Sequence, residues 1–250
     1  MGTGRRVLAS VTSTNAEAAR IAPTLMGPEW ILAHEQTAGR GRRGRAWVNP
    51  PGNFMASLVM RPAEPPQQVA LRSFVASLAL FDAFVAATGR TEPFALKWPN
   101  DVMLNGGKVA GILLESAGMG GAGKVQAGVS HIAIGIGVNL VAAPPREIVE
   151  PGAMTPVNLL DETGTLVTPE DFLDLIAPAY AHWEHSFTTY GFAPVREAWL
   201  NRAARLGETI VARTGNAEHE GVFETVDEQG NLVLSTAKGR QVIPAADIFF

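Results

Sequence analysis

The chain has 250 residues, of which 46% are hydrophobic, so it can bury a full core in one large domain or in a large domain followed by a small one. Cysteine is absent, which excludes disulfides, thiolate metal sites and a cysteine nucleophile. The formal net charge of -4 argues against general nucleic-acid binding, which requires an extended cationic surface.

The first predicted elements lead from the N-terminus to a loop rich in glycine and arginine. "RRVLASV" is too short an apolar run for a signal-peptide core, and later apolar stretches contain polar residues, so we expect an unanchored, cytoplasmic protein. "TSTNAEAARIA" predicts a turn and then a helix, with Thr14 and Glu17 at capping-box spacing. "WILAHEQ" predicts a short strand that runs into "GRGRRGR".

This last stretch, residues 39–45, is called the arginine loop below. Its G-x-G-x-x-G spacing is typical of dinucleotide-binding turns, but such turns open a helix, whereas here "AWVNPPGN" follows with two prolines. Guanidinium groups bind carboxylates and phosphates through fixed, often bidentate hydrogen bonds. We therefore interpret the loop as a backbone that bends around an anionic ligand, and we expect the ligand-free loop to repel itself and be mobile.

The centre of the chain is predicted to be β-rich around one long core helix. "NFMASLVM" predicts a strand, and apolar residues at helical spacing predict a helix over residues 69–88 that stops at Gly89. "DVMLNGGKVAGILLES" predicts a hairpin around an Asn-Gly turn. "GMGGAGK" resembles a phosphate loop but is interpreted as a hairpin turn, because Val125 replaces the Ser or Thr that would bind magnesium.

The strand "VSHIAIGIGVNL" has two different faces. Isoleucine and valine occupy one face, while Gly135, Gly137 and Asn139 lie on the other. A strand face without side chains usually marks the close approach of a ligand or of another backbone. We therefore place part of a ligand pocket against this face.

Two helices and a group of short strands are predicted for the remainder. The helices cover residues 168–187 and 193–206, and His182 and His185 on the first are interpreted as surface or packing residues, because no third metal ligand is near. Beyond Gly207, "TIVAR", "HEGVFETV", "NLVLST" and "RQVIPAADI" alternate with turns. They predict a small β-barrel or meander of roughly 45 residues.

Four motifs in this order closely resemble those of the biotin protein ligases: "STN", "EQTAGRGRRGRAW", "KWPNDVMLNGGKVAGILLES" and "GIGVNL". The resemblance implies an α+β fold. Residues 1–205 would form a mixed β-sheet with helices, the class II aminoacyl-tRNA synthetase-like catalytic domain of biotin ligases, and residues 206–250 a small SH3-like β-barrel. Because a dozen residues precede "STN", we expect the short form of the family, without an N-terminal DNA-binding domain and without repressor function.

The resemblance also implies an activity. Members of the family use ATP to convert biotin into biotinyl-5'-AMP, and then transfer the biotinyl group to a lysine of a biotin carboxyl carrier domain, as in acetyl-CoA carboxylase. The implied substrates are biotin and ATP, Mg2+ is the implied cofactor, and the carrier domain is the protein partner. Neither nucleic acid nor a membrane is expected as a partner. A homodimer paired at an exposed sheet edge and a catalytic monomer are equally consistent with the sequence.

Matching positions carry the family's site residues onto this chain. Lys108 would reach the biotin carboxylate and the α-phosphate, Arg42 would neutralise phosphate and retain the adenylate, and Asp101 would bind magnesium or help to deprotonate the acceptor lysine. The implied biotin-binding residues are Ser13, Thr14, Gln36, Gly39, Arg40, Gly41, Lys108, Gly111, Gly135 and Gly137. The implied ATP- and adenylate-binding residues are Arg42, Arg45, Trp47, Asn100 and Asn139.

Two other functions are compatible with parts of the sequence. A lipoate or octanoate protein ligase shares the related fold, but its members lack an arginine-rich loop of this kind. A nucleic-acid-binding module could use the same loop through its positive charge, and it predicts an affinity that depends steeply on salt.

Overall fold

The computed structural model describes residues 3–48, 50–118, 128–149, 152–215 and 217–249. Within these ranges the chain forms a mixed seven-stranded sheet with helices on both faces, and a five-stranded antiparallel sheet at the C-terminal end. The strands are β1 Gly4–Leu8, β2 Glu29–Ala33, β3 Phe54–Met60, β4 Phe94–Lys97, β5 Asp101–Leu104, β6 Gly107–Gly118, β7 Val129–Val138, β8 Thr209–Arg213, β9 Glu218–Val226, β10 Leu232–Thr236, β11 Gly239–Ile243 and β12 Asp247–Phe249. The α-helices are α1 Thr14–Ile21, α2 Pro66–Ala70, α3 Arg72–Thr88, α4 Leu159–Thr163, α5 Pro169–Tyr190 and α6 Phe192–Leu200.

The large sheet has the order β1-β2-β3-β7-β6-β5-β4, and β1 pairs with β2 in parallel while the other pairs are antiparallel. Helices α3 and α5 cover one face and form the main core with the isoleucines of β7. Helix α1 covers part of the opposite face and packs on Ile31, Val59 and Ala133. The remainder of this second face is left for a pocket.

The predicted hairpin is confirmed as β5 and β6. Its turn residues Asn105 and Gly106 have φ angles of 49° and 82°, the left-handed values that a type I′ turn requires. Strand β7 also follows the prediction, because Ile132, Ile134 and Ile136 are buried in the main core. The turn predicted at "GMGGAGK" lies, after its first residue, outside the described residues.

Three local predictions are corrected by the structure. The cap of α1 is Ser13 and not Thr14, because Ser13 Oγ accepts a hydrogen bond of 3.0 Å from the backbone of Ala16. The predicted core helix is divided at Leu71 into α2 and α3. The helix predicted over residues 193–206 ends at Leu200 in the structure, because the backbone of residues 202–204 pairs with β4 through Leu96.

The stretch Pro66–Thr88 has the length and hydropathy of a membrane span, with a mean hydropathy of 1.8. However, 72% of its most apolar window is buried inside the protein. This is typical of the core helix of a globular domain.

The C-terminal sheet has the order β11-β10-β9-β8-β12 and rests against the rest of the chain. The indole N–H of Trp98 donates a 3.0 Å hydrogen bond to the carbonyl of Gly230, and the Arg196 guanidinium donates to the carbonyl of Val226. These contacts place β12 beside the second face of the large sheet. Strand β12 therefore lines the pocket together with residues of the large sheet and its loops.

Candidate active site

A cavity of about 840 Å³ lies between the second face of the large sheet and the C-terminal strand β12. This volume is within the usual range for small-molecule sites, about 300–1,000 Å³. Its lining combines neutral polar side chains, a cluster of cations and a buried amide, and along β7 these are represented in turn by Asn15 at Gly135, Lys108 near Gly111 opposite Gly137, and Asn139. The principal polar lining residues are Ser13, Thr14, Asn15, Gln36, Arg40, Arg42, Arg43, Arg45, Lys97, Asn100, Asp101, Lys108, Asn139, Arg213 and Asp247.

The neutral polar end is built at the start of α1. Ser13, Thr14 and Asn15 are all buried there, next to Gln36 from the segment after β2. The backbone N–H of Thr14 donates a 2.7 Å hydrogen bond to Gln36 Oε1, which fixes the orientation of the Gln36 amide. This end of the pocket therefore offers hydrogen bonds without a formal charge.

All four arginines of the arginine loop line the pocket. A single 3₁₀ turn covers Arg42–Gly44, and Arg43 adopts a left-handed φ of 56°. This turn directs Arg43 and the following Arg45 to the same carboxylate, Asp247 of β12, at 2.8 and 2.9 Å. The C-terminal sheet thus holds the loop by two ion pairs.

The other two loop arginines also have partners. Arg42 donates a 3.3 Å hydrogen bond to Asn100 Oδ1, and Arg40 lies 3.3 Å from the Glu115 carboxylate. In the structure the loop is therefore fixed at four points, although its sequence predicts self-repulsion in the absence of a ligand. Neighbouring acidic and amide groups offset that repulsion.

The pKa values of these charged groups depend on how deeply each group is buried and on which charges lie beside it. Burial raises the pKa of the Asp247 carboxyl, but the hydrogen bond from Arg45 and the charges of Arg43 and Arg42 outweigh it and hold the pKa below its ordinary value. Burial lowers the pKa of the Arg42 guanidinium and of the Lys97 ammonium, against the attraction of nearby carboxylates. The partly desolvated cations gain most from an anionic ligand, because a low local dielectric strengthens charge pairing.

Lys108 lies at the centre of the pocket. Its Nζ is 2.7 Å from Asp101 Oδ1 and 5.6 Å from the centre of the Trp47 ring. Its backbone is held on both sides, since the N–H donates to the carbonyl of Thr155 and the carbonyl accepts from Val157. A fixed backbone and one carboxylate partner aim the ammonium group into the cavity.

The glycines of the pocket wall allow close contact with two side chains. A Cβ atom at Gly135 would lie 2.5 Å from Asn15 Oδ1, and one at Gly137 would lie 2.5 Å from the Trp47 ring. At Gly111 a Cβ atom would be 3.3 Å from both Lys108 and Trp47. The bare face predicted on β7 is therefore real, and Asn15 and Trp47 pack against it.

Asn139 provides the buried amide at the far end. It is 2% exposed, and its Nδ2 donates a 2.9 Å hydrogen bond to the carbonyl of Val157. Its Oδ1 has no hydrogen-bond partner among the described residues. A buried acceptor of this kind favours a ligand that brings an N–H donor.

The structure brings the sequence-predicted residues together in this one cavity. All of them line it except Gly39, the first residue of the arginine loop, where a Cβ atom would be 3.0 Å from the Trp47 carbonyl. Six further polar residues of the site have no role predicted from the sequence: Asn15, Arg43, Ser57, Lys97, Arg213 and Asp247. Asn15, Arg43 and Lys97 belong to the four family motifs, which could have indicated them, whereas Ser57, Arg213 and Asp247 lie in predicted strands outside those motifs.

The ion pairs at Asp247 give a prediction for the ligand-free loop. Replacing Asp247→Asn removes the carboxylate charge while preserving size, and we expect trypsin to cleave within the arginine loop about three to ten times faster. This corresponds to about 1 kcal/mol for the two partly exposed pairs. Mass spectrometry of the early tryptic fragments measures the rate of cleavage within the arginine loop.

Glu224→Gln is the matched control, because Glu224 forms a 3.1 Å ion pair with Arg240 elsewhere on the same sheet. It should leave cleavage within the loop unchanged. Equal loop cleavage in the wild type and in Asp247→Asn would show that Asp247 does not hold the loop.

A mixed sheet with a neutral polar recognition end, a cationic centre and a buried amide defines an enzyme that brings two anionic substrates together. Comparison with known proteins gives the family. Residues 4–139 match the biotin/lipoate A/B protein ligase family, and residues 206–250 match the biotin protein ligase C-terminal domain.

Individual relatives agree with these matches. The chain is 59% identical to a biotin--[acetyl-CoA-carboxylase] ligase from Paracoccus denitrificans over 98% of this chain and 99% of that protein. It is 31% identical to the bifunctional ligase/repressor BirA of Bacillus subtilis over 87% of this chain, but spans 65% of that longer protein. A solved biotin protein ligase from Aquifex aeolicus, in complex with biotin and ATP, superimposes with a TM-score of 0.79 over 98% of this chain and 97% of that structure, at 24% identity.

The chain therefore belongs to the biotin protein ligase family, as its motifs predicted. The fold prediction is also confirmed, because the large mixed sheet with helices is that of the biotin ligase fold and the C-terminal segment is an antiparallel sheet domain.

Proposed function

We propose that this protein is an ATP-dependent biotin protein ligase that forms biotinyl-5'-AMP and transfers the biotinyl group to a lysine of a biotin carboxyl carrier domain. One observation carries the proposal. A single cavity is lined by Lys108 and Arg42 together with neutral hydrogen-bonding side chains, and along β7 Lys108 lies between Asn15 and the buried amide of Asn139. This arrangement suits a substrate with an uncharged head group, two anionic groups to be joined and a purine at the far end.

The first step needs charge neutralisation more than covalent chemistry. The biotin carboxylate oxygen attacks the α-phosphorus of ATP, the bond to the β-phosphate breaks, and pyrophosphate leaves. Two anions must approach each other, so preorganised cations and alignment supply most of the catalysis. Lys108 reaches both reacting groups, and Arg42, with Arg45 in support, neutralises the phosphate and keeps the product in place.

The two ends of the substrate have separate receptors. Ser13, Thr14 and Gln36 hold the biotin head group, Gly39, Arg40 and Gly41 surround its tail, and Gly111, Gly135 and Gly137 let the fused rings lie near the sheet. Trp47, Asn100 and Asn139 hold the adenine and ribose. Since Trp47 packs on Gly111 and Gly137 in the structure, it forms the boundary between the biotin and nucleotide regions.

In the second step a lysine amine of the carrier domain attacks the acyl carbon, AMP leaves, and the amine gives up a proton. Asp101 is suited to assist this proton loss, because its carboxylate lies 2.7 Å from the Lys108 ammonium at the reacting centre. The named acetyl-CoA-carboxylase ligase among the relatives supports a carrier domain of this enzyme as the acceptor.

Mg2+ is proposed to enter with ATP. In the described part of the chain no group of three His, Asp or Glu side chains that could hold a metal ion is present, and Mg2+ is usually held by one or two carboxylates together with substrate phosphates. Asp101 is the residue that would hold it, and the ion would neutralise phosphate charge.

We also propose the arrangement of the whole protein. Residues 1–205 form the catalytic domain and residues 206–250 the small SH3-like domain, whose Asp247 completes the pocket. The protein is proposed to act in the cytoplasm, and the edge strand β1 is where a second copy could pair if the chain forms a homodimer.

Asn139 gives a prediction about the nucleotide. Because its Nδ2 donates to Val157, its unpartnered Oδ1 is the atom that would accept from the nucleotide, which suits the amino group of adenine and repels the carbonyl of guanine. In Asn139→Ala we expect KM for ATP to rise about three- to tenfold, the value of one hydrogen bond, with KM for biotin unchanged. Steady-state kinetics with each substrate varied measures both constants.

The control is Asn158→Ala, which removes a buried asparagine that caps α4 through a 2.9 Å hydrogen bond from Asp161. It should lower stability without changing KM for ATP. Efficient replacement of ATP by GTP in the wild type would refute this role for Asn139.

Pyrophosphate-ATP exchange tests the function directly. We expect exchange with biotin and none with lipoate or octanoate at the same concentration. Exchange driven by lipoate or octanoate and not by biotin would contradict the proposal in favour of the related ligases. Biotin-independent, steeply salt-dependent binding of DNA or RNA would favour the nucleic-acid-binding alternative.

A further inference from the structure

A fully buried hydroxyl lies directly behind the neutral end of the pocket. Ser57 of β3 has no solvent exposure and does not belong to the lining of the described cavity. Its Oγ is 2.6 Å from Asn15 Oδ1 and 2.7 Å from Thr14 Oγ1. Ser57 has one proton for these two short contacts, so the direction of each hydrogen bond can be worked out from the neighbouring groups.

The orientation of the Asn15 amide fixes the first direction. Asn15 Nδ2 donates to the carbonyl of Leu113 at 3.2 Å and to the carboxylate of Glu115 at 2.7 Å. Both partners are acceptors, which commits this side of the amide to donation and leaves Oδ1 as an acceptor. The Ser57 proton therefore belongs to the bond with Asn15.

The second direction follows from the first. Since the Ser57 proton is used, the 2.7 Å contact with Thr14 is a hydrogen bond only if the Thr14 hydroxyl donates to Ser57. The competing acceptor for the Thr14 proton, Gln36 Oε1, is farther away at 3.2 Å and already accepts from the backbone N–H of Thr14 at 2.7 Å. The Thr14 hydroxyl thus directs its proton away from the pocket.

This arrangement gives the pocket a defined hydrogen-bond polarity. Thr14 can offer only lone pairs to a ligand, whereas the Nε2 group of Gln36 remains a donor because Oε1 is occupied. An acceptor beside a donor complements a head group in which an N–H lies next to a carbonyl, as in a cyclic urea. This pair of groups makes no hydrogen bond with the dithiolane ring of lipoate or the alkyl chain of octanoate. Binding either acid would leave the polar groups of the pocket unpaired, which weakens its affinity.

We propose that Ser57 is a positioning residue for substrate specificity, which selects the cyclic urea of biotin by fixing the proton direction of Thr14. This inference rests on the proposed biotin ligase function. Ser57 itself does not line the cavity, so its effect must be transmitted through its two pocket-lining partners, chiefly the Thr14 hydroxyl and also the Asn15 amide.

Ser57→Ala tests the inference by adenylation kinetics. Without Ser57 the Thr14 proton is free to turn toward Gln36 or the pocket, so we expect KM for biotin to rise about ten- to a hundredfold. KM for ATP and kcat at saturating biotin should stay within about twofold of wild type. Desthiobiotin, which retains the cyclic urea, should lose affinity by the same factor as biotin.

Two further variants separate this role from a structural one. Ser77→Ala removes another buried serine, which bonds to Phe74 and Trp199 in the core, and it should lower the unfolding temperature without changing KM for biotin. Ser57→Cys keeps the size of the side chain and a weak S–H donor, and should have a KM between those of wild type and Ser57→Ala.

A folded Ser57→Ala enzyme with wild-type KM for biotin would overturn the inference, as would an equal rise in KM for ATP, which would indicate general distortion of the pocket. If Ser57→Ala does not fold, a wild-type KM in Ser57→Cys together with an unchanged response to desthiobiotin would overturn it instead. Absence of biotin-driven exchange in the wild-type protein would refute the proposed function, a separate outcome.

Discussion

The Lys108→Ala variant is expected to lose biotin adenylation by on the order of a hundredfold, about 3 kcal/mol of transition-state stabilisation. The reason is geometric as well as electrostatic. The Lys108 ammonium is aimed into the pocket by backbone hydrogen bonds to Thr155 and Val157, so it needs no reorganisation as charge builds up on the phosphate. Single-turnover formation of biotinyl-5'-AMP from radiolabelled biotin isolates this step.

A loss of structure must be distinguished from a loss of catalysis. Lys108→Ala leaves Asp101, whose side chain is 18% exposed, without its 2.7 Å ion-pair partner, and an uncompensated carboxylate lowers stability. The double variant Lys108→Ala/Asp101→Asn removes that charge, so its unfolding temperature should recover while adenylation remains low. Lys238→Ala, in an exposed turn, is the control for loss of a lysine elsewhere. Near-normal adenylation in Lys108→Ala would remove Lys108 from the catalytic role.

The elements that could be predicted from sequence are those fixed by neighbouring residues. The Asn105–Gly106 turn is determined by its own two residues, because both positions have positive φ and only a few residue types tolerate positive φ. The two faces of β7 are equally local, since period-two alternation is visible in ten residues. The bounds of β8 agree with the predicted "TIVAR" for the same reason.

The mistaken helix ends depend on residues far away in the chain. Nothing near Leu200 stops α6, and the helix ends there because Arg202 and Ala204 bond to Leu96, about a hundred residues earlier. The cap of α1 was misplaced by one residue because Ser13 and Thr14 are both good caps. Thr14 is instead committed to Gln36 and Ser57, two contacts that local spacing does not reveal.

The candidate site also contains some residues that local sequence predicts and others that depend on contacts between distant parts of the chain. The arginine loop, the lysines and the glycine face are contiguous motifs, so a resemblance to a family is enough to assign them. Asp247 lies more than two hundred residues from the loop it holds, in a short strand without a distinctive motif. The role inferred for Ser57 depends on the direction of hydrogen bonds, which is decided by an amide on one side and a hydroxyl on the other. Only a three-dimensional arrangement contains that information.

The second large effect is expected for Arg42→Gly. This guanidinium is partly desolvated and held by Asn100, beneath the turn that closes the arginine loop, where it would pair with the adenylate phosphate. Its removal should cost about 1.5–3 kcal/mol of adenylate binding, the value of a charge-assisted hydrogen bond, and should speed adenylate release on the order of ten- to a hundredfold. Synthesis should fall much less, because this variant retains Lys108, the residue proposed to reach both reacting groups.

Released adenylate is a mixed anhydride of a carboxylic and a phosphoric acid that acylates any accessible lysine amine, so Arg42→Gly should biotinylate bystander proteins. Incubation of the variant with biotin, ATP, a carrier domain and excess serum albumin, followed by a streptavidin blot, should label both proteins, whereas the wild type should label the carrier alone. Arg90→Gly, an exposed arginine after α3, is the matched control and should retain carrier specificity. Strict carrier specificity in Arg42→Gly, with adenylate still formed, would show that other contacts retain the intermediate.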